Sequence, residues 1–146
     1  MDRQALLLEL RQEGKLKGKK PCFVYMRKSN GKIFDSKGGN YILTEKDGTL
    51  YFQKLGIFSP LSPKHDFEVK TKQFTQYQII KRNSLNSIIL YNKRGEYLDI
   101  HYETGTKETS STESNLQRII DMLVETSGLK LLEIEGEKDG QQESNN

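Results

Sequence analysis

Apolar and polar positions divide the chain into stretches of different period. In residues 2–13, Leu6, Leu7 and Leu10 recur at spacings of three and four, which marks one face of a helix. Asp2 is placed to cap that helix, and Gly14 to close it. The expected element is an N-terminal helix within 1–14. A helix this short is marginal alone, so its leucine stripe should dock on its own domain or on a partner.

From Cys22 to Tyr102 the pattern is that of strands. Cys22–Met26 is a β-prone run. Tyr41–Glu45 and Thr49–Gln53 flank Lys46-Asp47-Gly48, and Asp-Gly between apolar runs predicts a tight hairpin. Phe67, Val69 and Thr71 alternate with Glu68, Lys70 and Lys72, as in a half-buried strand. Tyr77–Lys81 follows, with the join near Phe74–Gln76. Ser87–Tyr91 and Glu96–Tyr102 flank the loop Asn92–Gly95. In the last of these strands, Leu98, Ile100 and Tyr102 share one face. Tyr97, Asp99, His101 and Glu103 share the other, read as solvated.

The period then returns to 3.6. Leu116, Ile119, Ile120 and Leu123 form one apolar stripe, which places a helix at 112–127. Ser110-x-x-Glu113 reads as its capping box, and Gly128 as its terminator. Leu129–Ile134 is apolar and reads as either strand or frayed helix. Residues 135–146 lack apolar side chains and read as a disordered tail. The domain proper is expected at 21–132.

This order of elements resembles the pleckstrin-homology-like barrel, particularly its small bacterial versions. The resemblance is carried by Phe67–Leu132, notably Tyr77–Arg82, Ser87–Gly95, Tyr97–Tyr102 and the helix from Thr112. It implies a mainly β (α+β) fold: a bent antiparallel sheet or barrel, with a C-terminal amphipathic helix and a short N-terminal helix. Lipid-binding members place several Lys/Arg across the first hairpin. Here that region holds Arg27, Lys28, Lys32 and Lys37 without a dense Lys-x-Arg motif. The resemblance therefore implies a binding module in general, not a phosphoinositide receptor. The rival architecture is an α+β sandwich with both helices on one face of the sheet.

Composition sharpens this reading. The 146 residues suffice for one domain, and 34% are hydrophobic. There is no apolar run long enough to span a membrane and no signal-peptide pattern at the N-terminus. A single cysteine, Cys22, excludes an internal disulfide framework, reads as a small buried hydrophobe and points to the cytoplasm. Residues 1–100 carry 19 basic and 10 acidic side chains, and residues 101–146 carry 4 and 10. The densest basic stretch holds Lys15, Lys17, Lys19 and Lys20. It is expected to be mobile and exposed, and these lysines are the candidate anion-binding residues.

Catalytic equipment is sparse. His65 and His101 are the two histidines. Asp99, His101 and Glu103 lie about 7 Å apart along a strand, too far to chelate one ion. No phosphate-cradling or nucleophile-elbow motif occurs, and Gly38-Gly39-Asn40 reads as a turn. No catalytic residue, metal or cofactor is assigned. The expected function is a non-enzymatic binding or adaptor module for a protein partner. The alternative is nucleic-acid or anionic-surface binding through residues 15–37. Candidate contact residues are Ile57, Phe58 and Leu61, in a proline-broken apolar segment, and Tyr97 in a tyrosine-rich set with Tyr77, Tyr91 and Tyr102.

Overall fold

The computed structural model describes residues 2–27, 38–56 and 60–136, and side chains through 132. Ile57, Phe58, Lys28, Lys32, Lys37 and the tail from 137 onward lie outside the described residues.

Helix α1 spans Arg3–Gln12, and the Asp2 carboxylate accepts from the Gln4 N–H at 2.9 Å. Among the described residues eight strands follow: β1 (Lys19–Met26), β2 (Gly39–Lys46), β3 (Thr49–Lys54), β4 (Phe67–Lys70), β5 (Phe74–Arg82), β6 (Leu85–Asn92), β7 (Tyr97–Glu103) and β8 (Lys130–Gly136). Helix α2 (Ser110–Ser127) precedes β8. The order across the sheet is β4-β3-β2-β1-β7-β6-β5-β8. The end strands β4 and β8 do not pair, so the bent sheet stays open and is not a closed barrel. The fold is mainly β, with the two expected helices.

The hairpin between β2 and β3 follows the sequence expectation. Asp47 (φ 50°) and Gly48 (φ 81°) both take the left-handed region that a two-residue hairpin turn demands. Alternation places Cys22, Val24 and Met26 inside, and they share the core with Tyr41, Leu43, Phe52, Ile88, Leu90, Leu98 and Ile100. Leu116, Ile119, Ile120 and Leu123 of α2 plug this core. On the other face of the sheet, Leu6, Leu7 and Leu10 of α1 pack on Ile42 and Phe23. The helices therefore bury opposite faces, against the one-face sandwich.

The seam between the halves of the sheet is narrow. Among the described residues, β1 and β7 pair at Tyr25–His101 and Met26–Ile100. Beyond that point α2 takes over from the ladder. The Phe23 N–H donates to Thr112 Oγ1 at 3.0 Å, and Asn115 Nδ2 donates to the Pro21 carbonyl at 2.9 Å.

Several expectations are corrected. Of the two readings left open for Leu129–Ile134, the strand holds from Lys130 onward; it runs parallel to β5, so the sheet is mixed and not wholly antiparallel. A crossover through α2 sets that direction, which local patterning does not encode. Glu135 and Gly136 pair with Ile80 and Lys81, so the strand extends into the stretch read as tail. Gly39 and Asn40 belong to β2. The helix begins at Ser110 with Thr109 as its cap, and Ser110 forms no capping box. Glu113 Oε2 instead accepts from the Thr109 hydroxyl at 3.1 Å and the Gly105 N–H at 3.2 Å.

The lysine-rich segment is not a free linker either. Gln53, only 3% exposed, accepts from the Lys17 N–H at 3.0 Å and donates to the Lys15 carbonyl at 2.9 Å. A Cβ on Gly18 would come within 2.7–2.8 Å of Glu45 backbone atoms. This stretch is clamped against β2 and β3, and β1 starts within it at Lys19. Among the described residues, no helix is long and apolar enough to cross a membrane.

Two substitutions check this packing. Ile120→Ala should destabilise by about 2–5 kcal/mol, read as a lower denaturant midpoint. Gly18→Ala should cost about 1–3 kcal/mol by forcing β1 from β2, and a wild-type midpoint would show that the close approach is absent.

Candidate functional site

The outer face of the sheet changes character at the seam. Strand alternation aims Phe23 and Tyr25 of β1, Leu85 and Ser87 of β6, and Asp99, His101 and Glu103 of β7 away from the core. α1 lies over part of this face. Between them is a groove of about 470 Å³ whose walls include Leu6, Phe23, Tyr25, Leu85 and His101. Tyr25 and Leu85 are 45% and 46% exposed, which is high for side chains of this size. Arg3 closes one end. Its guanidinium lies 5.1 Å from the Phe23 ring centroid and pairs with Glu103 at 2.9 Å.

His101 is buried (7% exposed), which corrects the solvated-face reading. Its Nδ1 lies 2.8 Å from Ser87 Oγ on the paired strand, and Ser87 is 9% exposed. Its Nε2 lies 3.2 Å from Asp99 Oδ2, close in distance but not aligned as a hydrogen bond. The Tyr25 ring is tilted over the imidazole at 6.2 Å. Sequence reasoning missed this cluster because Ser87 and His101 meet only through strand register.

A serine, a histidine and an aspartate in a row carry the ingredients of nucleophilic catalysis. The arrangement fits that chemistry poorly. Ser87 and Asp99 are not among the groove-lining residues, so only the imidazole borders the space a ligand would enter. The cluster acts as a polar floor that fixes the histidine ring beside Tyr25. Among the described residues, no group of three His, Cys, Asp or Glu side chains is arranged to hold a metal.

The other sequence candidates are dispersed. Leu61 bridges to Leu55 in backbone pairing and packs half-buried beneath α1, so it is tucked in rather than presented. Ile57 and Phe58 fall outside the described residues. Tyr97 is half-buried and 6.1 Å from the Tyr91 ring, away from the groove. Tyr102 points inward, and burial pushes its phenol up against the opposing effect of an Asn86 hydrogen bond. Lys15 pairs with Glu13 at 3.1 Å, Lys17 with Asp66 at 3.9 Å and Lys20 with Glu45 at 3.6 Å. These pairings disperse the basic row read from sequence, while Lys19 stays exposed.

No family model matches the chain, and no curated protein sequence matches it. Among solved structures it is similar to the hSac2 domain from human phosphoinositide phosphatase Sac2. That likeness has a TM-score of 0.53 and 13% identity, covering 91% of this chain and 90% of that one. At this identity it speaks for the fold alone.

Cys22 is fully buried in the core, where burial pushes its thiol well above the ordinary value of 9.0. The protonated thiol is the form the fold favours. Its contribution is therefore complete below that ordinary value and declines as pH rises above it. Iodoacetamide at pH 8 should leave native Cys22 unmodified and alkylate it fully in denaturant, because the thiolate is the reacting species. Equal labelling in both states would place the thiol at the surface.

Proposed function

We propose that this protein is a non-enzymatic recognition module on a pleckstrin-homology-like open barrel, and that it binds a protein segment in the groove between α1 and the seam. The observation that carries this reading is the pairing of exposed Tyr25 and Leu85 with a preformed polar floor at His101. Exposed apolar side chains beside a concave, rigid surface are what an anchor residue of a partner buries. The floor is held by register and by Ser87, so little ordering is required on binding.

The polar elements suit a peptide better than a purely apolar ligand. Arg3, Glu103, Asn40 and the His101 ring border the apolar walls and supply donors and acceptors for a main chain. A single buried thiol and no paired cysteines among the described residues fit a cytoplasmic setting. The clamped, acid-paired state of Lys15, Lys17 and Lys20 argues against nucleic-acid binding through that row.

Selection from a displayed peptide library gives the test. Peptides enriched on the wild-type protein should carry an apolar anchor. They should bind Leu85→Arg or Tyr25→Ala at least about tenfold more weakly, the scale of one hot-spot residue. Both positions are exposed, so melting temperatures should stay near wild type. Selected peptides that bind the folded variants undiminished would move the interface elsewhere.

A further inference from the structure

We infer, on the peptide reading of the groove, that Ser87, His101 and Asp99 form a proton-binding site beneath it, and that the groove holds its peptide more tightly as pH falls.

His101 and Asp99 lie two residues apart on β7, on the same outer face, and bury their polar atoms together. His101 Nε2 stands 3.2 Å from Asp99 Oδ2, and the two side chains are only 9% and 16% exposed. Among the described residues, neither His101 Nε2 nor Asp99 Oδ1 has a hydrogen-bond partner. A carboxylate enclosed without donors is costly. A second proton on the imidazole answers that cost, because the imidazolium sets an opposite charge at ion-pair distance from Asp99.

Ser87 accommodates both charge states of the ring. Its Oγ is 2.8 Å from His101 Nδ1. A hydroxyl donates to a bare ring nitrogen and accepts from a protonated one. A backbone N–H in its place would exclude the imidazolium, and a carbonyl would fix Nδ1 as a donor. With serine there, the ring gains or loses its second proton while this hydrogen bond survives.

The surrounding charges leave the carboxylate as the partner of the ring. β6 contributes Ser87 and Leu85, and β2 contributes Asn40, none of them charged. β1 contributes the Tyr25 ring, 6.2 Å from the imidazole. Arg3 of α1 and Glu103 of β7 pair with each other at 2.9 Å, so together they add no net charge. Alternation sets Arg27, just past β1, on the same outer face; it is exposed, so water screens its charge. The imidazole and Asp99 share the enclosed space.

A peptide seated in the groove removes water from the wall that His101 forms. In drier surroundings a lone carboxylate costs more, and an ion pair attracts more strongly. The occupied groove therefore favours the protonated cluster. By linkage the peptide brings a proton with it. Affinity then rises as pH falls through the interval of about 5 to 8 in which imidazole groups change charge.

The probe is a peptide selected on this protein that lacks His, Asp and Glu and has blocked termini, so every proton exchanged belongs to the protein. Calorimetry in phosphate and in Tris buffer counts the protons taken up on binding. Net uptake is expected, with binding at least about threefold tighter at about pH 6 than at about pH 8. His101→Gln should abolish this dependence, and His65→Gln, at the other histidine, should retain it. Asp99→Asn should reverse it, since covering the groove then buries an imidazolium with no counter-charge. Melting temperatures identify the folded variants, and the proton count on the wild-type protein needs none of them. Equal affinity at both pH values, proton release on binding, or a pH dependence that persists in folded His101→Gln overturns the proton site and leaves the peptide site standing. Absence of any peptide binding, at either pH, overturns both.

Discussion

The structure turns on how β1 leaves β7. A strand in the middle of a sheet must satisfy backbone groups on both sides, and an unpaired buried amide is costly. β1 keeps its ladder with β2 but, among the described residues, holds β7 over two residue pairs. Thr112 and Asn115 then supply the missing partners from α2. This substitution lets the two halves of the sheet diverge far enough to admit a helix between them. The core, the helix docking and the open seam on the outer face all follow from it.

The same divergence shapes the outer surface. Where the halves splay, α1 covers one side and leaves a concavity on the other. His101 sits at the boundary, supported by Ser87 across the strand register and crowded by Tyr25. Recognition and architecture are therefore coupled at one place, because the pairs that close the seam also fix the groove floor.

Much of this was legible in sequence, but only where neighbouring residues decide the outcome. The stripe Leu116–Leu123 and the Asp47-Gly48 turn have local causes, and both appear as read. Long-range causes were invisible. Gln53 clamps a segment some 36 residues earlier, so lysines that look like a linker are held down. β8 is parallel because of the path of α2, not because of its own residues. The alternation of β7 correctly set His101 on the outer face, yet face does not equal exposure on a strongly bent sheet.

The parallel pairing of β8 with β5 also orders events in time. β5 gains its outer neighbour only after the chain has made β6, β7 and α2, and β1 waits for β7 some 76 residues later. Such distant pairings slow folding relative to helical bundles. Until the last strand arrives, Tyr77, Ile79 and Ile80 stand on an open strand edge, a template that another chain can join. In the finished fold β8 covers that edge of β5, and the open edge of this half of the sheet passes to β8 itself.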